Sequence, residues 1–433
     1  NRLKSDFART VQTLVNHIGK KPRVMVWPYG QFNDVAVQLA RQAGMPHYFS
    51  LGEKIINKVG DKHIGRLLLN AETDLNTVKN YLDGIDESKQ IQRVLHVDLD
   101  YVYDADKAQQ AKNLDKLIDR IYRYGVTTVY LQAFSDPDGD GVADALYFPN
   151  KYLPVRDDIF GRIAWQLQTR AGVQVYAWMP VLAFDLRKGV KEAEYVIDSR
   201  TGKPSTKAYL RLSPYNKQNV EIIKSIYNDL SFYSKFNGIL FHDDAFLTDF
   251  EGAEGNHAEG MVSPQAKQKT QDLIQLTHQL TDALKPYFLR GSYSLKTARN
   301  LYASVITNPN AEEWLAQNLK TLTENYDTTA IMAMPYMENE QAISQKEAYQ
   351  WFASLIENVK AQAPLEKVLF EFQAVNWRTQ KPIPESELID WMTLLQKNHI
   401  YSYGYYPDNF LTNQPDMSKM KPYFSVNTNA GKK

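Results

Sequence analysis

Gly238-Ile-Leu-Phe-His-Asp-Asp-Ala245 runs three apolar residues straight into a histidine and two adjacent carboxylates. A buried parallel strand that ends at an open polar mouth has this form, because both its faces are covered and only its end meets water. Two neighbouring aspartates at a strand end cost stability, since like charges that close raise each other's pKa. Clefts use such pairs for acid and base work. The plainer alternative is that Asp243 or Asp244 caps the following helix or binds an arginine.

The same pattern repeats outward from this stretch. Strand-like segments that end in polar groups are expected at 94–100, 127–132, 173–178, 238–243, 288–292, 329–334, 368–373 and 401–405. Between them, amphipathic helices are expected near 107–124, 157–171, 217–235, 264–285, 311–325, 343–360 and 385–398. Eight βα steps over about 330 residues is the count and size of an α/β fold of the (β/α)8, TIM-barrel type. Residues 1 to 88 read differently, as a short α/β piece with two or three strands. A helix carries Phe7, Val11, Leu14 and Val15; strands are expected at 23–27, 47–50 and 66–69, and helices at 33–43 and 74–82. So few strands do not make a well-covered sheet alone, and the segment reads as the end of a domain. The expected division is 1–88, then 92–425 for the barrel, then a tail at 426–433.

A barrel of this type gathers its chemistry at the C-terminal ends of its strands. There the first strand offers His96, Asp98 and Asp100, the second Gln132, the third Trp178, and the fourth His242, Asp243 and Asp244. Lys296 and Arg299 lie past the fifth, and Tyr336 and Glu338 past the sixth. Glu371, Gln373 and Trp377 belong to the seventh, and Tyr405, Tyr406 and Asp408 to the eighth. Carboxylates and aromatics dominate, which suits an open groove for a carbohydrate, best one carrying some positive charge.

Composition narrows the classes. In 433 residues, 43% are hydrophobic and 23% charged, as in a globular protein with a large core. Fifty basic and fifty acidic side chains cancel, which argues against a general nucleic-acid or anionic-membrane binder. Aromatics make 12% of the chain, and their flat rings suit sugar faces as well as cores. With no cysteine, a disulfide framework, thiolate catalysis and cysteine-ligated zinc are excluded. No run approaches the roughly 20 apolar residues of a membrane span. The chain opens Asn1-Arg-Leu-Lys-Ser-Asp6 without an initiator Met or signal peptide, so a processed or truncated chain is expected.

Ser135-Asp-Pro-Asp-Gly-Asp-Gly141 matches the first half of a calcium loop, but its twelfth position is Tyr147 rather than the bidentate glutamate. A tight polar rim loop is favoured over a calcium site, and no metal is assigned to the barrel. Trp178, Trp314 and Trp377 flank strand ends or helix starts and divide between core and groove. Tyr209 sits in the long insertion after the third strand, where loops of such length are usually functional or disordered. Lys296 and Arg299 either bind a substrate hydroxyl or, the favoured reading, neutralise Asp243 and Asp244. A barrel acting on a small phosphorylated metabolite has little support, because no phosphate-cradling glycine loop follows the last strands.

Leu95-His-Val-Asp-Leu-Asp-Tyr-Val-Tyr-Asp104, Val129-Tyr-Leu-Gln-Ala-Phe-Ser-Asp-Pro-Asp-Gly-Asp-Gly141, Val175-Tyr-Ala-Trp-Met-Pro-Val-Leu182 and Phe241-His-Asp-Asp-Ala245 form a distinctive set. Lys296-Thr-Ala-Arg-Asn300, Ala330-Ile-Met-Ala-Met-Pro-Tyr336 and Gly404-Tyr-Tyr-Pro-Asp-Asn-Phe410 complete it. Together they closely resemble the C-terminal half of the PgaB-type proteins, bacterial poly-β-1,6-N-acetylglucosamine (PNAG) N-deacetylases of biofilm polysaccharide export. The resemblance implies a (β/α)8 domain that binds partially deacetylated polymer and, in some members, hydrolyses it as an endo-acting glycosidase. It places the acidic substrate site on Asp243, Asp244 and Asp249, with Asp244 the first candidate for general acid, and the sugar-stacking rings on Tyr209, Trp314 and Trp377. Glu338 and Glu371 become candidate partners, with substrate assistance by an N-acetyl oxygen as the other route.

The family's other half is a metal-dependent deacetylase, and Val26-Trp-Pro-Tyr-Gly30 resembles its active-site stretch. Its Thr-Phe-Asp-Asp segment and histidine pair occur nowhere in this sequence. Deacetylation, and the divalent metal it uses, are therefore expected of an intact parent and not of this chain. The resemblance also implies a periplasmic place at the outer membrane, with export machinery as partner. A non-catalytic domain that guides the polymer is the competing expectation.

Overall fold

The computed structural model describes residues 2–51, 57–66, 91–187, 189–191, 193–205, 208–252, 262–287 and 295–426. The chain divides into two compact units, Asn1–Gln90 with Lys285–Leu295, and Ile91–Leu284 with Lys296–Lys433.

In the first unit, strands β1 (Val24–Val26), β2 (His47–Leu51) and β3 (His63–Arg66) form a parallel sheet in that order. The helix Arg2–Ile18 turns Phe7 inward, where it meets Trp27, Phe32, Val37, Ala40 and Met45. The helix Asp34–Gln42 starts at Asn33, whose side chain accepts the Ala36 N–H at 2.8 Å and satisfies a donor the helix cannot. The third strand lies three residues earlier than its expected start at 66; residues 67–69 and the helix expected at 74–82 lie outside the described residues.

The second unit is a closed parallel barrel. Its strands are β4 (Arg93–Val97), β5 (Thr128–Gln132), β6 (Gln174–Met179), β7 (Gly238–Phe241), β8 (Lys296–Tyr302), β9 (Thr328–Ala333), β10 (Val368–Gln373) and β11 (Tyr403–Tyr406). Each pairs with the next, and β11 closes on β4 with Tyr403 opposite Arg93 and Gly404 opposite Val94. This is the expected (β/α)8 fold. Most of the strands are buried along their whole length, and each fully buried Val, Leu, Ile or Phe adds about 1.5–3 kcal/mol. Gly238 begins β7 because a Cβ there would stand 2.7 Å from the Tyr176 ring and 2.8 Å from the Lys296 carbonyl oxygen.

The surrounding helices begin where local chemistry allows. Asp106 accepts the Ala108 N–H at 2.9 Å before Lys107–Tyr124, and Ser344 with Glu347 forms a capping box before Gln345–Gln362. The helix expected at 311–325 is broken into Glu312–Leu315 and Leu319–Asn325 by Ala316, which takes a left-handed φ of 47°.

The fifth strand departs from expectation. The segment 288–292 lies outside the described residues, and the barrel strand is β8, further on. Lys296 and Arg299 are therefore within the strand rather than past it. Lys296 stands at its start, facing Asp327 at 3.8 Å, at the end of the barrel away from the mouth. Because side chains alternate along a strand, Asn300 and Tyr302 share one face and Arg299 takes the other.

Candidate active site

A cavity of about 670 Å³ lies at the C-terminal ends of the barrel strands. Its floor is built by inward positions of three strands. Glu371 on β10 accepts from His96 Nε2 at 2.9 Å and from Asn300 Nδ2 at 2.7 Å. His96 Nδ1 is left without a hydrogen-bond partner, as is Asp98 Oδ1 one step beyond β4. Buried polar atoms are nearly always paired, so two unpartnered atoms on side chains that line one cavity stand out.

Asp98 and Asp243 both line this cavity, and their surroundings push them apart. Burial, then the charge of Asp100, lifts the Asp98 carboxyl to about 7, against a hydrogen bond from the Tyr406 hydroxyl at 3.3 Å. Burial also acts on Asp243, but the electrostatic attraction of His242, then hydrogen bonds from His242, Tyr302 and Tyr209, outweigh it and hold its carboxyl below the usual range. Tyr209 donates its hydroxyl to both oxygens at 3.0 and 2.9 Å, Tyr302 donates at 2.8 Å, and His242 Nε2 lies 2.9 Å from Oδ1. One carboxyl thus keeps a proton near neutrality while the other stays ionised, which is how acid and base roles are separated on one fold.

Asp244 has a different fate. It is fully buried, and its carboxylate accepts the backbone N–H of Val181 at 3.0 Å and those of Leu182 and Ala183 at 2.6 Å. It does not line the cavity, so the expectation of Asp244 as general acid is corrected: the residue ties the loop after β6 to the loop after β7.

The rim is acidic. Asp136 accepts N–H bonds from Gly139, Asp140 and Gly141 at 2.9, 3.1 and 2.9 Å, and burial lifts its carboxyl to about 6. Among the described residues, three carboxylates stand close enough to share a cation only at Asp136, Asp138 and Asp140, within 4.8 Å of one another. Tyr209 lies across this loop, since a Cβ on Gly141 would come within 2.0 Å of its ring. Asp100 is satisfied by Ser135, Tyr147, the Asp136 N–H and Arg156.

Of the residues singled out from the sequence, the cavity gathers His96, Asp98, Asp100, Gln132, Trp178 and Tyr209. It also gathers His242, Asp243, Glu371, Trp377 and Tyr406. Others lie elsewhere. Asp249 is half-buried and faces Lys269 and Arg200 instead of the cavity. Trp314 stands on the short helix Glu312–Leu315, outside the cavity lining. Arg299 is fully buried and donates to Tyr326 Oη at 2.8 Å and the Ala245 carbonyl at 2.9 Å, so it neither meets substrate nor neutralises the aspartates. Tyr336 donates to Glu387 at 2.5 Å, and Glu338 accepts the N–H groups of Ala303 and Ser304. Tyr405 and Asp408 belong to a buried cluster, where Asp408 pairs with Arg120 at 2.6 Å and accepts from Tyr405 at 2.7 Å. Asn300 and Tyr302 were missed, because the fifth strand was expected too early; the alternation along Lys296-Thr-Ala-Arg-Asn-Leu-Tyr302 carried the signal.

A closed (β/α)8 barrel with divided carboxylates and aromatic walls at its mouth is the architecture of a carbohydrate-processing hydrolase. The chain belongs to hypothetical glycosyl hydrolase family 13, whose model matches residues 96–406, and it is a PgaB-type barrel preceded by a short deacetylase segment. It is 39% identical to the PgaB (BpsB) glycoside hydrolase domain from Bordetella bronchiseptica, with a TM-score of 0.71 over 78% of this chain and 100% of that one. The polysaccharide deacetylase family matches residues 1–48. The chain is also 38% identical to the poly-beta-1,6-N-acetyl-D-glucosamine N-deacetylases of Escherichia coli strains K12 and O157:H7. That match covers 98% of this chain and 66% of each relative, so the chain spans just under two thirds of their length. No described helix is long and apolar enough to cross a membrane.

Proposed function

We propose that the barrel binds partially de-N-acetylated poly-β-1,6-N-acetylglucosamine and cleaves it as an endo-acting glycoside hydrolase. The observation that carries this reading is the pair of cavity carboxyls with opposite protonation: Asp98 lifted to about 7 with one oxygen free, and Asp243 held ionised by three donors. Asp98 is the proton donor to the leaving glycosidic oxygen, and Asp243 stabilises the positive charge that develops on the sugar ring. His96 Nδ1 accepts from a sugar hydroxyl, and Trp377, beside Tyr406 at 6.3 Å, gives a face for stacking. The acidic rim attracts the ammonium groups that deacetylation exposes. No step in the barrel calls on a cofactor. The names of the relatives support PNAG as the substrate and a longer parent that deacetylates the same polymer; the sequence resemblance extends the proposal to a divalent metal in that parent and to a periplasmic place beside the export machinery.

Incubation with partially deacetylated PNAG, followed by sizing of the products, tests the reading. Shorter oligomers are expected. Polymer that binds and stays intact would leave only the guiding role.

A further inference from the structure

The mechanism above uses Asp243 but leaves open what governs its partner. His242 is half-buried between two groups of different capacity. On one side Nε2 lies 2.9 Å from Asp243 Oδ1, and on the other Nδ1 lies 2.8 Å from Trp178 Nε1. An indole N–H donates and never accepts. A ring nitrogen 2.8 Å from it must therefore present a lone pair, and the proton of the imidazole must sit on Nε2, facing Asp243.

We propose that Trp178 is a positioning residue: its indole N–H holds His242 as the neutral Nε2–H tautomer, so that Asp243 receives a hydrogen bond rather than an imidazolium counter-ion. The consequence rests on the functional reading of Asp243. An imidazolium at this distance would neutralise the charge that Asp243 offers to a developing cation. A neutral ring orients Asp243 and leaves that charge intact.

Burial disfavours the imidazolium, but the carboxylates around the ring outweigh it, and this is the pull that the indole opposes. Asp244 adjoins it in sequence, Asp98 stands beyond β4, and Asp136 stands at the rim, all acidic. The remaining neighbours are rings, Tyr209 at 5.8 Å and Phe134 at 6.0 Å, which carry no charge at neutral pH. Trp178 is itself held in place, with His96, Phe134 and Tyr406 packed nearly perpendicular to it at 5.1, 5.7 and 5.4 Å. Its N–H is therefore aimed by packing from three sides.

The test is long-range ¹H–¹⁵N correlation of the imidazoles in the whole chain, whose eight histidines are few enough for His242 to be assigned by its loss in His242→Gln. The unaltered protein at about pH 8 is expected to show a bare Nδ1 and a protonated Nε2 at His242. In Trp178→Phe, the midpoint of its titration is expected to rise by about one pH unit, the equivalent of one lost hydrogen bond. The Nδ1–H tautomer in the unaltered protein, or an unmoved titration in the variant, overturns the proposal, and the first measurement leaves Trp178 unaltered. Kinetics separate this role from sugar stacking. Positioning lowers kcat on PNAG about tenfold near pH 6, recovering as pH rises and the ring loses its proton, with KM held. Stacking instead raises KM at every pH. A chain that cleaves no polymer refutes the functional reading alone, since the tautomer is decided by the spectrum.

Discussion

Replacing Asp98 by asparagine couples two measurable quantities that the structure ties together. In an unfolded chain this carboxyl ionises near 3.8, and in the folded barrel near 7, because the cavity wall strips its water and Asp100 repels its charge. Between those values folding takes up a proton. The stability of the native protein therefore declines as pH rises through that window and is flat above it. A shift of about 3 units corresponds to about 4 kcal/mol, the penalty for an ionised Asp98 above pH 7. Asparagine is never charged, and its side-chain oxygen still accepts from Tyr406. Asp98→Asn is thus expected to match the native protein in urea unfolding at about pH 4 and to exceed it by up to about 4 kcal/mol at about pH 8. Other groups titrate over this range, but the difference between the two proteins isolates this carboxyl. In the same variant, hydrolysis of partially deacetylated PNAG is expected to fall by about 10²–10⁴. A stability difference that ignores pH would refute the account of the buried carboxyl, and a stabilised variant with near-native turnover would refute its role as the acid.

Other expectations follow from the same site. The pH profile of kcat/KM should be bell-shaped, falling above about pH 7 as Asp98 ionises and on the acid side as Asp243, held below the ordinary carboxylate value, takes up a proton. Tyr302→Phe removes a 2.8 Å donor from Asp243, so its acid limb should move to higher pH by about one unit or more, and a limb that stays put means Asp243 does not titrate in it. Asp244→Ala leaves the N–H groups of Val181, Leu182 and Ala183 buried without their acceptor; a loss on the order of 3 kcal/mol or more in urea unfolding is expected, and a stable variant would contradict the bracing role. Trp377→Ala should weaken oligosaccharide binding by about tenfold in calorimetry while Trp314→Ala leaves it unchanged, and the reverse order would move the groove.

The barrel was legible because its strands advertise themselves: an apolar run, buried on both faces, ending in polar residues, recurs at βα spacing. The exception shows what that signal depends on. Lys296-Thr-Ala-Arg-Asn-Leu-Tyr302 carries a lysine, an arginine and an asparagine, and reads as surface. It is a strand because Arg299 reaches Tyr326 and Ala245 behind the sheet while Asn300 and Tyr302 complete the polar interior. Asp408 failed for the opposite reason. It stands just past a strand end, where the mouth inventory placed it, yet Arg120 takes it through a contact 288 residues apart in sequence. No local pattern announces such a partner.

His242, Asp243 and Asp244 carry the same lesson inside three consecutive positions. The residue types announce a polar strand end, and nothing in their order ranks one aspartate above the other. Rank comes from what faces them. Asp244 meets three backbone N–H groups that no other acceptor satisfies, and it becomes a brace. Asp243 meets two phenols and a histidine that can each yield their bond to a substrate, and it stays poised at the cavity. The proton donor proposed to work with it is not its neighbour but Asp98, just past a strand and 145 positions earlier, whose pKa is raised by burial and by the charge of Asp100. Adjacent carboxylates drew attention to the right strand end, yet the proposed chemistry depends on two carboxyls that the closure of the barrel brings to one mouth and that their different surroundings drive to opposite protonation.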